Sequence, residues 1–138
     1  MLAQQHSALA VPGVSEVIVP TWEHASLELV LPMLAHLSHQ AGERWLTWIA
    51  PDLPPKSELD KYGFNPRTLR FIRSSGDEQS LWMMWDALNN GTSAFVVSSF
   101  AKSYGLVQTK ERKHLQQACS QGNSRALVLT LPGSELVH

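Results

Sequence analysis

The sequence predicts an α/β fold, a largely parallel sheet flanked by helices. Three observations predict it. Five short runs rich in apolar and β-branched residues alternate strictly with four segments of helical periodicity, in the order β-α-β-α-β-α-β-α-β. Two of those runs, 93–100 and 126–131, are nearly continuous in apolar residues, as strands covered on both faces are. Proline, glycine or a turn cluster punctuates most of the joins. Alternation of this kind requires crossovers between parallel strands, and those crossovers are right-handed.

The elements follow in order. Residues 1–13 end in Pro12-Gly13, have weak periodicity and read as a flexible arm. Val14-Ser-Glu-Val-Ile-Val19, closed by Pro20, is the first strand. Leu27, Val30, Leu31, Leu34 and Leu37 recur at three- and four-residue steps and predict a helix from Ser26 to about Gln40, with a kink expected at Pro32. Arg44 to Ala50 is the second strand, stopped by Pro51 and Pro54-Pro55. A short helix capped by Ser57 runs to Tyr62, and Gly63 ends it. Thr68 to Arg73 is the third strand, followed by turn residues Ser74 to Asp77. From Glu78 to Asn90, Leu81, Met84, Trp85 and Leu88 mark one helical face, with Gly91 as the stop. The strand 93–100, a helix capped by Thr109 with Leu115, Ala118 and Cys119 inward, and the strand 126–131 complete a single domain over 14–132. Residues 133–138 form a tail.

Composition narrows the function. In 138 residues, Lys and Arg number 11 against 12 Asp and Glu, a formal net charge of -1, so nothing draws the chain as a whole to a polyanion. No nucleic-acid partner is expected. The single cysteine, Cys119, excludes an internal disulfide and suits a reducing compartment. The first 12 residues lack a signal-peptide pattern and no segment has about 18 unbroken apolar residues, so the expectation is a cytoplasmic protein without a membrane partner.

The chemistry of the common α/β enzymes is missing. The first strand-to-helix junction, Val19-Pro-Thr-Trp-Glu-His-Ala-Ser26, offers no glycine or lysine for a phosphate, and Glu23 would repel one. No Gly-x-x-x-x-Gly-Lys occurs in the chain. Cys119 and His114 are five apart, about 140° around a helix, and share no face. Ser98 and Ser99 lack a Gly-x-Ser-x-Gly turn. His36 and His39 have a spacing that can share zinc but no third ligand nearby, and read as solvated helix-face residues. Neither a cofactor nor a metal is expected, and the protein reads as no enzyme.

Five tryptophans remain to be explained. Trp85 and Met84 suit a core, whereas Trp82 and Met83 lie further round their helix and suit either exposure or a second packing surface such as a dimer contact. In Glu43-Arg-Trp-Leu-Thr-Trp-Ile-Ala-Pro51, packing covers the tryptophans but leaves Arg44 unexplained.

That stretch resembles the SulA family of SOS-induced bacterial cell-division inhibitors. So do Tyr62-Gly-Phe64, Ala87-Leu-Asn-Asn-Gly91, Val96-Val97 and Ala118-Cys-Ser-Gln-Gly-Asn123, in the same order from about Val14 to Thr130. The resemblance implies a RecA-like core lacking a P-loop, and an inhibitor made after DNA damage that binds the tubulin-like GTPase FtsZ and prevents septation. It implies FtsZ contacts at Arg44 and Ile49. The family's tryptophan position falls on or beside Glu58 and Leu59, and its lysine position on Thr68, with Arg67 one residue earlier. Lys61 adds an orienting charge. The resemblance also implies a homodimer and removal by the Lon protease, with terminal His138 as the recognition signal. The alternative is a RecA-like nucleotide- or DNA-binding protein; a small enzyme using Ser98 or Ser99 has no support in the motifs.

Overall fold

The structure is a computed structural model, and it describes residues 13–18, 24–52, 54–100 and 109–130. The chain runs β1 (Val14–Ile18), α1 (His24–Gln40), β2 (Trp45–Ala50), α2 (Lys56–Lys61), β3 (Leu69–Arg73), α3 (Asp77–Asn89), β4 (Ser93–Phe100), α4 (Thr109–Gly122) and β5 (Arg125–Thr130). The five strands form one sheet in the order β1-β5-β4-β2-β3, and every neighbouring pair is parallel. The expected α/β class, element order and helix-flanked sheet all hold.

Strand order decides where the helices go. From β1 to β2 to β3 the chain moves one way across the sheet, and from β3 to β4 to β5 it moves back. Right-handed crossovers therefore put α1 and α2 on one face and α3 and α4 on the other. The buried side chains divide accordingly. Val30, Leu31, Leu34 and Ala35 of α1 pack with Leu46, Trp48, Val97, Leu127 and Leu129. Met84, Ala87 and Leu88 of α3 and Leu115, Ala118 and Cys119 of α4 pack with Ile49, Val96, Ala126 and Val128. Alternation along β2 thus sends Trp48 to the α1 face, where it stacks on Phe64 at 6.1 Å and meets Phe71 edge-on at 6.4 Å. Its indole N–H finds no hydrogen-bond partner among the described residues.

Three local expectations are corrected. Ser57 caps nothing, because α2 starts one residue earlier at Lys56 and the N–H groups of Glu58 and Leu59 both donate to Pro55 O. Trp85 is no core residue; it is 37% exposed. The buried face of α3 is Ser80, Met84, Ala87 and Leu88, which centres it about one residue's rotation away from Trp85. Met83, by contrast, packs against that core from its edge. Gly63 and Gly91 do end their helices, with φ of 77° and 79°, a conformation that favours glycine. Pro32 lies on the exposed side of α1, which runs through it as one helix from His24 to Gln40. The arm up to Pro12, the tail and His138 lie outside the described residues.

Candidate functional site

Because all five strands are parallel, all their starts meet at one end of the sheet, together with the C-termini of the helices that feed them. Most of the expected contact residues fall at or near this end. Arg44, directly before β2, is half-buried there. Its Nη1 donates to Gly91 O at 3.3 Å, Ser93 O at 3.2 Å and Gly122 O at 3.2 Å, and its Nη2 to Asn123 O at 2.8 Å. One guanidinium therefore ties the turn after α3 to the turn after α4. Both turns present carbonyls at a helix C-terminus, where a cation is stabilised by unpaired acceptors and the helix dipole. The helices touch here backbone to backbone: a Cβ on Gly122 would fall 1.8 Å from Leu88 O. Ser124 reinforces the joint by donating to Ser93 O at 2.6 Å. Arg44 is thus explained as a clamp.

Ile49 has no exposed surface, being enclosed between the sheet and α3. This corrects its expected place as an apolar contact: a strand buried on both faces leaves neither side for a partner. Thr68 is 7% exposed, and its hydroxyl donates to Ser38 O at 2.5 Å. It is corrected likewise, to an anchor of the 62–68 turn on α1. His39 makes a second anchor, its Nε2 lying 2.6 Å from Gly63 O. The Tyr62 hydroxyl makes a third with the Glu28 carboxylate, and burial followed by that negative charge raises its pKa. Leu59 and Glu58 are half-buried, Leu59 against the α1 core. Lys61 is exposed, 5.5 Å from the Tyr62 ring centroid, and Arg67 is exposed in the turn leading to β3. Of the seven expected contacts, only Lys61 and Arg67 are therefore exposed.

The same end of the sheet holds a basic residue that sequence reading passed over. Arg70 of β3 pairs in register with Thr47 of β2, and its Nε and Nη2 donate to Thr47 Oγ1 at 3.2 and 3.0 Å. Nη2 also reaches Thr92 Oγ1 and Ser93 Oγ, each at 3.2 Å. The guanidinium lies over the Trp45 ring, 5.3 Å from its centroid. Strand register made this cluster, and register is not written in a single segment.

A second surface lies on the opposite side of the α3 face. Trp82 is 68% exposed, and its ring meets that of Trp85 edge-on at 6.5 Å. Together with Leu81, Glu111, His114 and Leu115 they line a groove of about 480 Å³ between α3 and α4. α3 carries Asp77, Glu78 and Asp86 and no Lys or Arg, whereas α4 carries Lys110, Arg112 and Lys113 against Glu111. Cys119 lies beneath, fully buried, and burial pushes its thiol up to about 11. Among the described residues no group of three or more His, Cys, Asp or Glu is placed to hold a metal, and no helix is long and apolar enough to cross a membrane.

No family model matches the chain. A cell division inhibitor SulA from Pseudomonas aeruginosa is 30% identical over 106 residues, 76% of this chain and 63% of that protein, so the chain spans a little under two thirds of its relative. The crystal structure of SulA from Pseudomonas aeruginosa superposes with a TM-score of 0.76 at 28% identity, covering 86% of this chain and 97% of that one. In sequence over 76% of its length and in fold over 86% of it, the chain is similar to SulA of Pseudomonas aeruginosa.

Proposed function

We propose that this chain is a cell-division inhibitor of the SOS response that binds FtsZ stoichiometrically and blocks both its polymerisation and its GTPase activity. The observation that carries the reading is the relative's own description as a cell division inhibitor, with a shared fold over 97% of its solved structure. The physical logic needs no turnover. A tubulin-like filament grows head to tail, so covering one end of a subunit removes a polymerisation interface. The contact face in this reading is the end of the sheet and α2 segment that present Lys61 and Arg67, with Leu59 as the adjoining apolar area. Arg44 supports that face from behind by holding two turns in place.

The protein acts as a homodimer in this reading, with the Trp82 and Trp85 groove as its contact. A two-fold axis along the groove lays the acidic α3 of one copy against the basic α4 of the other. Its location is cytoplasmic and its removal falls to Lon, read through His138.

The test is sedimentation of FtsZ in GTP with increasing amounts of the purified protein, with GTP turnover followed in parallel. The expected result is loss of polymer and of turnover in proportion to added protein, saturating near stoichiometric amounts. Unchanged polymer and turnover with species-matched FtsZ would refute the reading.

A further inference from the structure

Resting on the FtsZ reading, we propose that the notch formed by Arg70 and Trp45 at the starts of β3 and β2, with Arg67 at its edge, receives a carboxylate side chain of the partner. The geometry separates Arg70 from Arg44. Arg44 is committed to four backbone carbonyls, three in the turns that end α3 and α4 and one at the start of β4, so its charge is met from within the fold. Arg70 meets only neutral groups: among the described residues its hydrogen bonds go to the hydroxyls of Thr47, Thr92 and Ser93. Nη1 makes no hydrogen bond among those residues, and both Arg70 and Trp45 are only half-buried.

A guanidinium held this way suits a carboxylate. The hydroxyls and the Trp45 face fix the plane of the fork, so little freedom is left to lose when an anion arrives. Thr92, exposed and bonded through its N–H and hydroxyl to Asn90 Oδ1, forms the rim. Arg67 adds a second positive charge three residues before Arg70, and its own N–H is tied to Asn65 Oδ1. Arg67 and Arg70 thus stand together at the start of β3 in a chain whose net charge is -1, with exposed Glu43 before Arg44 at the same end of the sheet. An acidic protein surface is the chemistry that matches it; an apolar helix is not.

The experiment measures binding of the full chain to immobilised FtsZ at several ionic strengths, for wild type, Arg70→Gln, Arg70→Lys, Arg67→Glu and the control Ser75→Glu, exposed beyond the far end of β3. Thermal melting of each variant checks that it folds. Arg70→Gln and Arg67→Glu are each expected to weaken binding about tenfold and to flatten its salt dependence. Arg70→Lys keeps the charge but not the fork, and is expected to bind about threefold or more weaker than wild type. Ser75→Glu should stay within about twofold, since at the opposite end of the sheet its charge is screened from the notch. Should Arg70→Gln fail to fold, Arg70→Lys and Arg67→Glu decide. Wild-type binding that survives the folded variants within twofold overturns the notch and leaves the functional reading standing. Absence of wild-type binding overturns that reading and the notch with it.

Discussion

At the scale of single residues, Arg44 shows how a residue can matter to a surface without being part of it. Its guanidinium bonds three carbonyls in the turns that end α3 and α4 and a fourth at the start of β4. Hydrogen bonds from a charged donor are worth about 1.5–3 kcal/mol, so Arg44→Ala is expected to cost about 3 kcal/mol in urea unfolding. A loss under about 0.5 kcal/mol, the range of an ordinary surface substitution, would remove the clamp. Cys119 gives a pH test. Its folded pKa is raised to about 11, from an unfolded value near 9.0. The unfolded chain therefore releases this proton first, and the stability that burial of the neutral thiol contributes is full below pH 9 and is lost as pH rises towards 11. The expected decline is about 2 kcal/mol over that window, absent in Cys119→Ala. Thiol labelling at neutral pH should likewise proceed at the rate of unfolding, since the side chain is fully buried.

At the scale of elements, the informative helix is α3. Helical periodicity located its inner face to within one residue's rotation, but that rotation moved Trp85 from the core to a 37% exposed position beside Trp82. Periodicity reports which residues share a stripe, and the neighbouring helix decides where the stripe ends. Exposed indoles can be exchanged cheaply: Trp82→Ser is expected to change monomer stability by about 0.5 kcal/mol or less. In the dimer reading it should also shift the sedimenting species from two copies to one at micromolar concentration. A variant that still sediments as a dimer would place that contact elsewhere. Short α2 tells a related story. Ser57 looked like a cap, yet Pro55, with φ -59° and ψ 152°, supplies the carbonyl that opens the helix. Proline's rigid backbone outweighed a favourable side chain.

At the scale of the whole molecule, the two apolar layers share one sheet, with β2, β4 and β5 contributing to both. They cannot melt separately without dismantling those strands. Unfolding is therefore expected to be a single transition, coincident by far-UV circular dichroism and by tryptophan fluorescence, which Trp48 reports from the α1 layer and Trp85 from the α3 layer. Two resolved transitions would contradict the shared sheet. If the chain dimerises, the midpoint should also rise with protein concentration.

The sequence by itself determined the α/β class, the order of nine elements, the closing glycines and the likeness to SulA, because each is written in local periodicity, turn chemistry or the order of short motifs. Tertiary structure decided the rest. The strand order β1-β5-β4-β2-β3 set which helices share a face. It also brought Arg44 to carbonyls nearly 80 positions away and set Arg70 against Thr47 and Trp45. It sealed Ile49 and Thr68 inside and left Lys61 and Arg67 outside. Crossover length and register are properties of the assembled sheet, and the same local pattern is compatible with several of them.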